Sequence, residues 1–112
     1  MLHEMRLHPG PFAAVRSGKK TIEARLFDGK RKKIKLGDEI IFWSRGDARR
    51  SIRVKVVGLL RYPTFSALFT DFRPVVFGGK STKALEKQAS DFYTKEEEKK
   101  LGVVGIRIAL ME

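Results

Sequence analysis

Gly18-Lys19-Lys20-Thr21-Ile22-Glu23-Ala24-Arg25 opens with a glycine that closes a helical pattern and runs directly into an alternating strand. Side chains on a strand change face at every residue. Thr21, Glu23 and Arg25 therefore share one face, and Ile22, Ala24 and Leu26 the other. The apolar set can fill a core. The polar set, with Lys20 leading into the strand, gathers two cations and a carboxylate within a few residues of one another.

Upstream, Met5 to Leu7 is short and mixed and can start as a strand, while His3 near the terminus is expected to be frayed. His8-Pro9-Gly10-Pro11 reads as a turn, with Pro11 in the first turn of a helix carrying Phe12, Ala13, Val15 and Arg16. Gly18 supplies its C-terminal stop. Downstream, Phe27 to Lys35 is a basic loop and Leu36-Gly37-Asp38-Glu39 a turn. Ile40 to Trp43 is an apolar strand. Arg45 to Arg50 forms a basic, hairpin-like loop. Ser51 to Leu60 alternates as a long strand, broken by Arg61-Tyr62-Pro63.

Phe65, Leu68, Phe69 and Phe72 recur at helical spacing behind Thr64 as N-cap. Ser81 to Tyr93 gives a second helix, with Ala84, Leu85, Gln88, Ala89 and Phe92 on its inner stripe. Thr94 and Glu97 have capping-box spacing before a short third helix ending near Leu101-Gly102. Val103 to Leu110 closes the chain as a strand. The order is not the regular alternation of a doubly wound sheet. It reads as an α+β fold, a small, partly closed mixed β-barrel with short helices packed on its outside.

The 112 residues fit one domain, spanning 1–112. The absence of cysteine removes disulfides, thiolate metal sites and cysteine nucleophiles. Neither a metal nor a cofactor is expected. The N-terminus lacks the apolar run of a signal peptide, and no stretch approaches the ~20 apolar residues of a membrane span. The reading is a soluble cytoplasmic protein without a membrane partner. Lys and Arg total 24 against 13 Asp and Glu, a net charge of +11. That excess in so small a chain points to a polyanionic partner, RNA or a nucleotide. Lys30 to Lys33 and Arg45 to Arg50 are either solvated loops or phosphate contacts. Gly78-Gly79-Lys80-Ser81 lacks the spacing and context of a P-loop.

The pattern G-x-K-x-x-E-x-R, here Gly18, Lys20, Glu23 and Arg25, resembles the signature of the ASCH domain family, a branch of the PUA-like superfamily. Leu36 to Phe42, Val54 to Val57 followed by Tyr62 and Phe65, and Tyr93 followed by Leu101 to Ile106 are similar to further family segments in the same order. The resemblance implies a PUA-like barrel with a cleft between barrel and helices, in a superfamily that often binds RNA. It also implies hydrolysis as an alternative: one branch cleaves the acyl amide of N4-acetylcytidine, and another member is described as a ribonuclease. The first activity is described with a Lys, Thr and Glu triad. Lys20 matches its lysine, but Glu23 occupies the Thr position, and Thr21 lies two residues earlier.

Lys20 and Glu23 are the catalytic candidates. Lys20 could bind phosphate or, when desolvated, serve as a base; Glu23 could orient its cationic neighbours or accept from a base edge. Arg25 has the planar fork suited to phosphate. Thr21, Trp43, Arg45 and Tyr93 complete the ligand-binding set. Trp43 either stacks on a base or fills the core, and Tyr93 can pack its ring while presenting its hydroxyl. Tyr62 is assigned to packing. A protein-interaction adaptor, using the exposed face of the Ser81–Tyr93 helix, is the remaining alternative to RNA binding and hydrolysis.

Overall fold

In the computed structural model, which describes residues 1–111, the alternating segments form one mixed sheet. Its strands are β1 (Leu2–Leu7), β2 (Ile22–Leu26), β3 (Glu39–Ser44), β4 (Ser51–Tyr62) and β5 (Val103–Leu110). Their order in space is β1-β3-β4-β5-β2, with β1 parallel to β3 and the other pairs antiparallel. The first two strands of the sequence thus become the two edges of the sheet. The sheet curls into a half-barrel, and an Arg25 side-chain bond to the Arg6 carbonyl spans from one edge to the other at 3.0 Å. This is the mixed α+β half-barrel that the order of elements predicts, consistent with the PUA-like architecture that the family resemblance implies.

Curvature has a local cause in β4. The register slips between Val56 and Gly58, so Val57 bulges outward and is exposed. A bulge bends its strand and increases its twist. Gly58 leaves room there for its cross-strand neighbour: a Cβ would stand 2.8 Å from Arg107 Cδ and force that side chain to shift.

The helices are α1 (Pro9–Arg16), α2 (Phe65–Thr70), α3 (Thr82–Phe92) and α4 (Lys95–Leu101), with short 3-10 turns at Arg31–Lys33 and Pro74–Phe77. Their starts follow the expected capping chemistry. Thr64 accepts from the Ala67 amide at 3.0 Å, Ser81 from Ala84 at 3.1 Å, and Thr94 and Glu97 form a reciprocal box. Glu98 is buried on α4 and accepts the Phe65 amide at 3.0 Å, tying α4 to the start of α2. Among the described residues, no helix is long and apolar enough to cross a membrane.

Two apolar clusters follow from this arrangement. One fills the curl of the sheet around Ile40, Phe42, Val54 and Ile106, with Phe12 and Val15 of α1. The other joins Ile22, Leu26 and Val103 to Phe65, Leu68, Phe69, Phe77 and Leu85. β5 runs between them, so Val103, Val104, Gly105 and Ile106 are all buried.

Four local expectations change. His3 is not frayed: it is buried on β1, with its Nε2 2.8 Å from Asp38 Oδ2. Pairing with β3 orders a terminus whose sequence carries little apolar signal. Pro9 and Gly10, read as part of a turn, already belong to helix α1, and Pro11 keeps its place in the first turn, where a proline is tolerated because amides lack helical partners anyway. Strand β4 continues through Tyr62, since β5 supplies partners as far as Val103. Ala84, Gln88 and Phe92 lie on the inner-stripe spacing of α3 yet are exposed, Phe92 by 56%; Gln88 and Phe92 face the open space that α3 overhangs beside β1.

Candidate functional site

That space is a cleft of about 280 Å3 between the two sheet edges and α3. Lys20, Glu23 and Arg25 form one side of it, and Phe65, Phe69, Phe77, Leu85 and Tyr93 an apolar side. Its position follows from the topology. β1 and β2 are edges with no strand between them, so their facing side chains are left to line a seam.

Lys20 is fixed before the strand begins. Its amide donates to the Ala14 carbonyl at 2.9 Å, and the Thr21 amide donates to Val76 at 2.8 Å. Gly78, at φ +78, lets the backbone pass against the aliphatic stem of Lys20; a Cβ there would lie 3.3 Å from Lys20 Cδ. The stem is thereby buried and the ammonium is directed to Glu23, with Nζ 2.9 Å from Oε1. Arg25 meets the other oxygen through Nε at 2.8 Å and donates through Nη2 to the Arg6 carbonyl. Glu23 is 4% exposed and Lys20 8%.

The three charges set the electrostatics. Burial pushes the Glu23 carboxyl up, but Lys20 and Arg25 together prevail and hold it at about 2. Burial also works against the Arg25 charge, and Glu23 outweighs it, raising the guanidinium further. Burial lifts the Tyr93 hydroxyl above its ordinary range despite the nearby Arg25. Lys20, Glu23 and Arg25 therefore carry a net single positive charge in a mostly desolvated place. Arg25 spends its Nε and Nη2 on protein, leaving Nη1 for an outside acceptor.

The structure brings Lys20, Glu23, Arg25, Arg45 and Tyr93 together around this cleft. It does not bring in Thr21, whose side chain is exposed outside the lining. Trp43 lies instead in an adjoining groove of about 740 Å3, with Glu4, Lys30 and Arg31. Its indole nitrogen donates to Glu4 Oε1 at 2.9 Å. Of the basic loop, Arg31 turns onto Asp28 and Lys30 donates to the Glu4 carbonyl, so part of that charge run is structural.

Sequence reasoning missed Arg6, His8 and Gln88 at the cleft, and Gly78 beneath Lys20. Gln88 left a signal, a polar residue on an otherwise apolar helical stripe. His8 packs against Phe92 with ring centroids 5.3 Å apart and the planes tilted by 31°, which no local pattern encodes.

The ASCH domain model matches residues 5–112. The fold is similar to the crystal structure of the hypothetical protein PH0355, with a TM-score of 0.87 and 38% identity over 99% of this chain and 100% of that one. It is also similar to the solution structure of protein PF0455 from Pyrococcus furiosus, with a TM-score of 0.73 and 31% identity over 100% and 99% of the two chains. A more distant likeness, in fold alone, is to the S128A mutant of ZmASCH from Zymomonas mobilis: TM-score 0.59, 14% identity, 95% of this chain and 66% of that one. No curated protein matches the chain.

Proposed function

The chain belongs to the ASCH domain family, and we propose that its cleft binds a base of single-stranded or modified RNA, with the basic surface around it holding phosphate. The observation that carries this reading is the buried Lys20–Glu23–Arg25 network with its surplus positive charge, facing an apolar and aromatic side. A base needs both: a surface for its ring and donors and acceptors for its edge. Glu23 offers acceptors, Lys20 and Arg25 offer donors, and Phe65 and Tyr93 offer ring contact. A volume near 280 Å3 lies at the lower end of ligand pockets, ~300–1,000 Å3, and suits one nucleoside better than a large cofactor. The net charge of +11 favours a polyanion over a neutral ligand.

Hydrolysis of RNA or of a modified nucleoside is the second reading, favoured by the Lys20 amine buried in the cleft beside a carboxylate. Against it, a carboxylate held at about 2 is a weak base at neutral pH. Its paired geometry serves positioning better than proton transfer.

The test is binding of labelled single-stranded RNA to the wild type and to a K20A/R25A variant across a salt series, with the variant's fold checked by circular dichroism. Weaker binding by the folded variant at matched salt supports the cleft as the site. Equal binding by both at every salt concentration overturns it. Product analysis of the same mixtures decides the hydrolytic reading: cleavage by the wild type and none by K20A is its expected result.

A further inference from the structure

The cleft and the Trp43 groove share three lining residues, Arg6, Arg25 and Arg45. Arg6 and Arg45 make no side-chain ion pair among the described residues, and both are exposed. Arg25 keeps Nη1 free, as above. Three arginines thus line both concave surfaces where the two adjoin. Arg6 sits on β1 directly opposite Trp43 on β3 in the sheet register, so cation and indole are immediate neighbours on one face. The indole is half-buried, and its edge is pinned by the bond to Glu4, which fixes the ring's direction within the groove.

We propose that the preferred ligand is a strand rather than a free nucleoside: one base enters the cleft, the adjoining phosphodiester sits on Arg6, Arg25 and Arg45, and the neighbouring base stacks on Trp43. This inference rests on the nucleotide reading of the cleft and adds a second nucleotide site to it. Guanidiniums are the side chains that best match phosphate oxygens, and a rigid indole is the strongest stacking platform available to a base. Glu4 would repel a phosphate placed beside Trp43. Its carboxylate, engaged by the indole, favours a base there and leaves the phosphate to the three arginines.

Trp43 is the sole tryptophan, so its emission reports this site without a label. The experiment titrates the protein with nucleoside 5′-monophosphates, dinucleotides and short homopolymeric RNA at fixed salt. The variants W43A, W43F and R6A/R45A are read in parallel by anisotropy of a labelled oligonucleotide. Dinucleotides and longer strands should quench the emission and bind at least tenfold more tightly than monophosphates. W43A should weaken strand binding by roughly 5–100-fold, in keeping with one lost stack, and W43F should restore much of it. R6A/R45A should weaken strand binding at matched salt and make its dependence on salt shallower. Strands that bind no tighter than monophosphates, with unchanged emission and no effect of W43A or R6A/R45A, would overturn the second site while leaving the cleft reading intact. Failure of both monophosphates and strands to bind would overturn the two together.

Discussion

Lys20 Nζ stands 2.9 Å from Glu23 Oε1, with both side chains more than nine-tenths buried. A buried ion pair is seldom a net gain over apolar packing, but removing one partner is costly, because the other charge remains without compensation. Here one carboxylate serves two cations, so it is the member whose loss matters most.

Glu23→Gln should therefore destabilise the fold by about 3 kcal/mol. The pH dependence separates charge from shape. The Glu23 carboxyl is lowered from 4.5 to about 2 in the folded state, so its contribution is complete above the unfolded value and disappears as pH falls toward 2. That contribution is on the order of 3 kcal/mol. Urea denaturation of wild type and variant at pH 7, 4 and 2.5 should show the gap narrowing as pH falls. A gap constant across that range would disprove the assignment.

Gly78→Ala tests the support beneath Lys20. A residue with a Cβ pays roughly 1–2 kcal/mol in the left-handed region, and here the Cβ also lies 3.2 Å from Ala14 Cβ and 3.3 Å from Lys20 Cδ. The melting temperature should fall, and RNA affinity at matched salt should fall with it as the ammonium is displaced. Lost stability with unchanged affinity would mean that Gly78 does not position Lys20.

The strands and caps were legible in the sequence because each is a local signal. Ile52, Val54 and Val56 face inward as their alternation requires, and Thr64, Ser81 and Thr94 cap the helices that follow them. The Lys20, Glu23 and Arg25 cluster was legible too, since a strand's period alone places Glu23 and Arg25 together. What was not legible depends on closure. Arg6 reaches the cleft only because β1 and β2 become opposite edges, and His3 is buried only because β1 pairs with β3. Trp43 read as either a stacking platform or a core residue, and strand alternation turns it outward into the neighbouring groove.

Tyr93→Phe removes one hydroxyl and leaves the ring, which stacks on Phe65 with centroids 5.1 Å apart. Stability should be nearly unchanged. If the hydroxyl meets the ligand in the cleft, affinity for RNA should fall between about twofold and tenfold, the worth of one hydrogen bond. Tyr93→Ala, which also deletes the stack, should lower the melting temperature. Full affinity in Tyr93→Phe would remove the hydroxyl from the site.

Arg25→Lys separates charge from geometry. Arg25 holds Glu23 through Nε and the Arg6 carbonyl through Nη2, a fork that one ammonium cannot reproduce. The lysine variant keeps the positive charge but loses the link between the sheet edges. Affinity for single-stranded RNA should drop roughly tenfold while the dependence of log K on log salt stays as steep as in the wild type. Arg25→Ala removes the charge as well, and its salt slope should be shallower by about 0.7, the value of one phosphate contact on a single strand. A lysine variant binding as tightly as wild type would reduce Arg25 to a point charge and remove the planar guanidinium from the recognition of the ligand.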